Sequence, residues 1–462
     1  MVAENGLCKT TILQAIAALT LGPARASALA NVLSYPDLRA PEGSEKNGAQ
    51  EDQDKLGLEA WMRGVFCFGP IGDRVGPRDY PFYPKDLSPD QRWLASILGL
   101  KRRWSSFEGH SGYTAPEPVP VSEQLLSRMS PEEGKAYIRR WTPRFDDPSA
   151  DPVRPMGDLL DRVRRDSLPH WFVAGYGVSR YVIAERTALE PKEPAVDRVR
   201  TLFGEGRLAG LDFYDLLKNR DPALADAFVD RVDEALVQRG KLLPRVEAFD
   251  RRGANEPNTR LANAHRFTWR AGESRLRIPA TWLSHGYQGT ISWIADLIGQ
   301  VLWEAETDVP LDEMEGLVLI DELDLHLHPR WQRELVPALR EMFPAFQFIV
   351  TTHSPALLPA FAPEEVVLLR QNEQGDVVSE PTEVDPRVLT GSQIYQEFFG
   401  LKSLHPAALD EKLRLYGWLA SDPGRSEAQD AELRALRETL RAAGQDPGWD
   451  PVPLDPTLRD PA

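Results

Sequence analysis

Short apolar runs alternate with longer stretches of helical periodicity through the second half of the chain. Leu317 to Ile320 and Phe346 to Val350 are two such runs, with helical sequence between them. That order predicts neighbouring parallel strands buried under helices. Trp171 to Gly177 is a third apolar run ending in glycine, a strand entering a loop. Asp212 to Leu217 and Pro222 to Arg239 read as helices. So does Glu427 to Ala443, where Leu433, Leu436 and Leu440 fall on one side. Two pairs of short runs predict hairpins: His265 to Arg270 with Arg275 to Ile278, and Val366 to Arg370 with Asp376 to Ser379. Near the N-terminus Ile12, Leu13, Ile16 and Leu19 recur at helical spacing, so Thr10 to Leu21 is predicted as a helix stopped by Gly22-Pro23. Pro41 to Lys55 is almost free of apolar residues and reads as a surface loop. Leu56 to Leu168 is rich in Trp, Pro and Arg without a single period; it reads as an insertion with short helices, Pro131 to Arg140 among them.

Composition narrows the class. Of 462 residues, 42% are hydrophobic and 27% charged, which suits a folded protein and not a disordered one. The net charge of −16 argues against a surface that coats duplex DNA as a whole. Basic clusters at Lys101-Arg102-Arg103, at Arg162-Val163-Arg164-Arg165 and around Arg239 to Arg252 leave local DNA or RNA contact open, beside the plainer reading of solvated helix faces. Two cysteines, Cys8 and Cys67, cannot make a disulfide framework and fit a reducing compartment. No apolar run reaches the roughly 18 to 20 residues of a membrane helix. Lys9, the apolar stretch after it and Ala24-Arg25-Ala26 imitate a secretory signal, but Glu4 falls where such a signal is basic. A cytoplasmic protein without a membrane partner is expected.

The chemistry concentrates at strand ends. In Leu317-Val-Leu-Ile-Asp-Glu-Leu-Asp-Leu-His-Leu-His-Pro329 an apolar strand delivers Asp321 and Glu322 side by side at its C-terminal end. Ligands of open α/β sheets bind at that edge. Alternation points adjacent side chains apart. One carboxylate can then hold Mg²⁺ while the other polarises an attacking water, which is the logic of a Walker B strand. The run Phe346 to Val350 ends in Thr351-Thr352-His353, and a histidine there could reach a γ-phosphate. His326 and His328 lack a cysteine or third ligand nearby, so a zinc site is rejected. Trp282-Leu-Ser-His-Gly-Tyr-Gln288 precedes a helix, and a serine hydroxyl with backbone amides at a helix N-terminus forms an anion site.

These segments resemble known motifs in a known order. Leu317 to Pro355 resembles the Walker B, D-loop and H-loop of ABC-type ATPases, in particular the SMC-like, RecF-like and OLD-like group, for which Leu-His-Leu-His-Pro after the acidic pair is typical. Leu283 to Gln288 is similar to the signature loop, with Ser284 and Gly286 matching and His285 and Tyr287 departing from the transporter form. Ala3-Glu-Asn-Gly-Leu-Cys-Lys-Thr-Thr11 resembles a Walker A loop: Asn5, Gly6, Lys9, Thr10 and Thr11 fit, while Ala3 and Cys8 stand where that loop has glycines. Those glycines permit unusual dihedrals and close approach to phosphate. Only two residues precede Ala3, so the buried strand before such a loop is expected to be missing, through an upstream start or a truncated copy. Phe172 to Arg180 resembles a Gly-Tyr-Gly-x-x-Arg segment of the same group, with Arg180 facing phosphate or a dimer partner, or lying in a plain solvated loop. Gly391 to Gly400 is similar to the tail of bacterial defence ATPases of the Septu type.

The resemblance implies an α/β, ABC-type P-loop ATPase head with a mixed sheet flanked by helices, an inserted helical or irregular subdomain and a helical C-terminal tail. The expected divisions are 1–40 and 169–400 for the head, 41–168 for the insertion and 401–462 for the tail. It implies ATP and Mg²⁺ as ligands, with nucleotide held by Asn5, Gly6, Cys8, Lys9, Thr10 and Thr11, metal by Thr10 and Asp321, and hydrolysis by Glu322 and His353. Ser284, His285, Gly286 and Gln288 would serve the partner's nucleotide in a homodimer or higher oligomer; Asp324 and Arg180 are further candidates. About a hundred residues follow Pro355 without an acidic motif of the Toprim kind found in OLD nucleases, so the expected effector is a separate protein, a nuclease in phage defence or DNA repair. The altered Walker A leaves a second reading open, a non-hydrolysing scaffold of the same fold. A transporter ATPase is disfavoured by the insertion and the signature loop.

Overall fold

The computed structural model describes residues 1–3, 8–32, 60–67, 93–100, 107–113, 172–180, 190–239, 242–243, 245–250, 266–401, 405–445 and 450–455. The chain divides into two compact units, Met1–Glu383 and Val384–Ala462.

In the first unit a parallel sheet carries the core. β5 (Val173–Tyr176), β9 (Gly316–Ile320) and β10 (Phe346–Val350) lie in the order β10-β9-β5. The register pairs Ile320 with Val350 on one side and with Tyr176 on the other. β1, only Val2–Ala3, pairs in parallel with β11 (Val367–Gln371), which pairs antiparallel with β12 (Val377–Pro381). An isolated bridge between Val2 and Thr352 places β1 beside the end of β10. A two-residue strand does therefore precede the segment that resembles a Walker A loop, correcting the expectation that none is there; two residues are too few to show a period.

Strand alternation sorts the parallel sheet into two faces. Val173 and Leu319, with Leu317 and Ile349, pack with Leu13, Ala17 and Leu21 of α1 (Lys9–Ala26). Ala174, Tyr176, Val318 and Ile320 face a larger core. That core includes α2 (Phe213–Arg220), α3 (Pro222–Asp233), α4 (His285–Ala305) and α5 (Pro329–Met342). The segment Pro222 to Gln238 is helical throughout, with Asp221 capping α3 and a wider π turn from Glu234 to Gln238. α1 runs past the expected stop: Gly22 takes φ 78°, kinks the helix, and helical turns continue to Ala26.

Two further three-stranded antiparallel sheets lie within the first unit. β2 (Ala60–Cys67), β3 (Trp93–Leu100) and β4 (Phe107–Tyr113) form a meander that touches α1. Residues 41–168 were expected to be helical or irregular, and their described part is instead this sheet. The expected helix Pro131 to Arg140, the loop Pro41 to Lys55 and the basic clusters at 101–103 and 162–165 lie outside the described residues. β6 (Val246–Asp250), β7 (Arg266–Ala271) and β8 (Ser274–Pro279) form the second sheet, and β7–β8 and β11–β12 are the two expected hairpins. The second unit holds α6 (Gly391–Phe399), α7 (Ala407–Ser421) and α8 (Glu427–Ala442). Leu433 and Leu440 pack with Tyr416 and Leu419, the apolar side expected of that helix. No helix of the described residues is long and apolar enough to cross a membrane.

One buried carboxylate ties the layers together. Asp296 on α4 accepts from the backbone N–H groups of Ala209 (2.9 Å) and Gly210 (3.2 Å) and from the Tyr176 hydroxyl (3.3 Å). Burial raises its carboxyl to about 6, and the hydrogen bonds only partly offset this. The folded pKa then lies above the unfolded one, so the folded state keeps a proton that the unfolded chain releases, and stability falls as pH rises through about 6. Asp296→Asn removes this slope. In urea unfolding the variant is expected to gain about 1–2 kcal/mol relative to the parent between pH 5 and pH 8; an unchanged difference across that range would remove the charged state of Asp296 as the cause.

Candidate functional site

Parity of the strands decides what meets at the sheet edge. In β9 the odd positions face α1, so Asp321, next after Ile320, emerges on the side of α1. In β10 the odd position Ile349 faces the same way, so Thr351 emerges beside Asp321. The Asp321 carboxylate accepts from the Thr10 hydroxyl at 2.7 Å through Oδ2 and from the Thr351 hydroxyl at 2.6 Å through Oδ1. Residues 311 positions apart are thus joined by one hydrogen bond. Thr351 also accepts from the Glu322 backbone N–H at 2.8 Å, and its own carbonyl accepts from the Leu323 N–H at 3.0 Å. One threonine orients both acidic residues.

Lys9 lies at the first turn of α1, only 7% exposed. Burial pulls its ammonium below the usual range, while the Asp321 and Glu322 carboxylates pull it back up. Thr10 is half-buried and Thr11 exposed. Cys8 is exposed and holds φ 52°, the left-handed region where glycine is favoured. Asn5 and Gly6 lie outside the described residues.

Glu322 is half-buried at φ 48°, so the chain leaves the strand direction there. His353 is half-buried two residues beyond Thr351. Asp324 Oδ1 accepts from the Thr352 hydroxyl at 2.5 Å. The Ser354 hydroxyl donates to the Gln332 side-chain oxygen at 2.5 Å, and the Gln332 amide donates to the carbonyls of Leu327 (3.0 Å) and Asp324 (3.3 Å). The loop after the acidic pair is thereby fastened to the loop that bears His353. His328 does not face this site; its ring Nδ1 accepts from the Arg330 N–H and caps α5.

Ser284 is the exposed N-cap residue of α4, His285 is exposed, and no side-chain cap bond occupies the Ser284 hydroxyl. Gly286 is needed by packing: a Cβ there would stand 2.4 Å from the His326 carbonyl oxygen. Gln288 is turned inward, donating to the carbonyls of Leu283 (2.7 Å) and Thr281 (3.0 Å). It braces the loop rather than presenting itself. Tyr287 packs edge-on against Trp331.

The Gly-Tyr-Gly segment has a packing cause as well, since a Cβ on Gly177 would stand 2.1 Å from the Thr201 carbonyl oxygen. Arg180 is 4% exposed and donates to the carbonyls of Asp321 (2.7 Å) and Glu322. It is neither in a solvated loop nor displayed on the surface. Sequence reasoning left Thr351 and Gln332 out of the site, though Thr351-Thr352-His353 at a strand end was a signal for the first.

A threonine hydroxyl beside a carboxylate is the hard-oxygen donor set that Mg²⁺ takes, so Thr10 and Asp321 fit that ion. A buried ammonium at the start of a helix fits a phosphate.

Parts of the chain are similar to known proteins. Residues 144–358 match the family model described as "AAA domain, putative AbiEii toxin, Type IV TA system". The Septu protein PtuA of Bacillus mycoides (strain KBAB4) is 35% identical over 159 residues, 34% of this chain and 22% of that protein. PtuA of Bacillus thuringiensis is 40% identical over 98 residues, 21% of this chain and 25% of that protein. The "Retron Ec83 probable ATPase" of Escherichia coli is 41% identical over 103 residues, 22% of this chain and 19% of that protein. The matches therefore span about a fifth to a quarter of the length of these relatives. Among solved structures, "Crystal structure of the SmcHead bound to the C-winged helix domain of ScpA" covers 83% of this chain and 89% of that chain at 15% identity, with a TM-score of 0.36. Residues 144–358 thus match an AAA domain, and parts of the chain resemble the Septu protein PtuA and a retron ATPase.

Proposed function

We propose that this chain binds and hydrolyses ATP, dimerises around the nucleotide and so controls a separate effector, a nuclease in phage defence or DNA repair. The observation that carries the reading is the Asp321 carboxylate held between Thr10 of the phosphate-loop helix and Thr351 of the adjacent strand end. Lys9 and the amides at the start of α1 bind phosphate. Thr10 and Asp321 are the residues that would hold Mg²⁺, which when bound offsets phosphate charge. Glu322 orients and deprotonates the attacking water, and His353 contacts the γ-phosphate. Ser284, His285 and Gly286, at the N-terminus of α4, complete the pocket of a second copy, with Gln288 bracing their turn. Residues 1–40 and 169–400 act as the head, 41–168 as its insertion and 401–462 as a tail. Basic segments such as that around Arg239 to Arg252 offer contacts to nucleic acid, and the chain works in the cytoplasm. Defence as the setting rests on the likeness to the Septu and retron proteins.

Glu322→Gln tests the chemistry, because it keeps the shape and removes the base. ATP turnover by the purified chain is expected to fall by about 10²–10⁴-fold with nucleotide affinity retained. In size-exclusion chromatography with ATP the variant is expected to accumulate as a dimer. Equal turnover in parent and variant would refute the role of Glu322.

The exposed, left-handed Cys8 favours a second reading, a scaffold of the same fold that does not turn over ATP. An L-residue in that conformation costs about 1–2 kcal/mol, and Cys8 stands where the resembling loop has a glycine. Cys8→Gly is expected to tighten ATP binding measured by calorimetry. A parent that binds no ATP, with binding restored by Cys8→Gly, would establish the scaffold reading in place of the first.

A further inference from the structure

We propose that Arg180 is a positioning residue for Glu322, acting through the backbone carbonyls of Asp321 and Glu322. The proposal rests on the hydrolytic reading of the site. The Arg180 guanidinium donates to two successive carbonyls, with Nη1 on that of Asp321 at 2.7 Å and Nη2 on that of Glu322. A planar guanidinium can hold two carbonyls at once from a fixed fork, which an ammonium cannot. The need for such a clamp is visible in the backbone. The β9–β10 ladder ends where the Thr351 N–H donates to the Ile320 carbonyl. Just past it Glu322 takes φ 48°, a conformation disfavoured for a side-chain-bearing residue and kept only where its surroundings impose it. The Glu322 N–H is held by Thr351 and its carbonyl by Arg180, so the peptides on both sides of the catalytic carboxylate are fixed.

Two further contacts show what the clamp is attached to. A Cβ at Gly289 of α4 would lie 3.2 Å from the Arg180 carbonyl oxygen, so the helix that starts at Ser284 rests on the backbone of this residue. Arg180 also lines a small cavity with His285, Thr290, Trp293, Leu323 and His326, between α4 and the loop after β9. The buried guanidinium is lowered to about 10 by desolvation, which Asp321, Asp324 and Glu322 partly offset, so it stays charged at neutral pH. A displacement of the signature loop is in this way felt at the backbone of Glu322. In this role Arg180 acts through the two backbone carbonyls it holds.

The test compares Arg180→Met and Arg180→Lys with the parent in the full chain. For Arg180→Met, kcat for ATP is expected to fall about 10- to 100-fold, the scale of a mispositioned catalytic group, while nucleotide affinity changes by less than about threefold. Arg180→Lys, able to hold one carbonyl, is expected to recover part of kcat. Hydrogen exchange of the peptide covering residues 321–327 is expected to rise in Arg180→Met while β5 and β10 stay protected. Unchanged kcat, or affinity, melting temperature and sheet protection all lost together, would overturn the proposal; the latter pattern would make Arg180 a packing residue only. A parent that turns over no ATP would instead defeat the hydrolytic reading, and exchange at 321–327 would then decide alone: unchanged exchange overturns the clamp.

Discussion

The parallel register that sets Ile320 level with Val350 and Tyr176 is the constraint on which the site depends. Three strands end at one edge, and side-chain parity then assigns a direction to every residue that follows. Asp321 and Thr351 turn toward α1 because Leu319 and Ile349 already do. A slip of one residue in β9 would send Asp321 to the opposite face, away from Thr10. The slip is opposed by the whole core: it would also carry Leu319 out of the cluster around Leu13 and Ala17, and Val318 and Ile320 out of the one around α4 and α5. The hydrophobic pattern that folds the sheet is thus the same pattern that aims the carboxylate.

That coupling explains why so much was legible in the chain. The strand runs, their parallel relation, the two hairpins and the amphipathic helix Glu427–Ala442 follow from local periodicity, and the order of motifs announces the acidic pair, His353 and Ser284. What escaped has non-local causes. The strands β2, β3 and β4 read Ala-Trp-Met-Arg-Gly-Val-Phe-Cys, Trp-Leu-Ala-Ser-Ile-Leu-Gly-Leu and Phe-Glu-Gly-His-Ser-Gly-Tyr, with glycines that blur alternation and long separations that hide the pairing. β1 is too short to have a period. Gly22-Pro23 carries a stop signal, yet Gly22 absorbs the kink with φ 78° and the chain turns again, with Ala26 and Leu29 buried beside Ala17.

Side-chain direction was the other limit. Arg180, Gln288 and His328 were all visible as polar residues near motifs. Each turned out to serve backbone: Arg180 the two carbonyls after β9, Gln288 the carbonyls before α4, His328 the first amide of α5. An orphan amide or carbonyl at a strand or helix end must find a partner, and nothing in one-dimensional spacing says whether a nearby polar side chain will supply it or reach for a ligand. Thr351 is the reverse case. It was read as part of a strand end, and its hydroxyl proves to be the shared partner of Asp321 and Glu322.

Strain separates the two halves of the site. Of the five side-chain-bearing residues with positive φ among the described ones, three belong here: Cys8, Glu322 and His326. Such conformations persist where the surroundings over-determine them. Glu322 meets that condition, with Thr351 on its N–H and both Arg180 and the Leu325 N–H on its carbonyl. His326 meets it through close packing of its carbonyl against Gly286. Cys8 is exposed, and among the described residues its carbonyl accepts the ordinary helical bond from Ile12. Glu322 and His326 are therefore braced on several sides at the sheet edge.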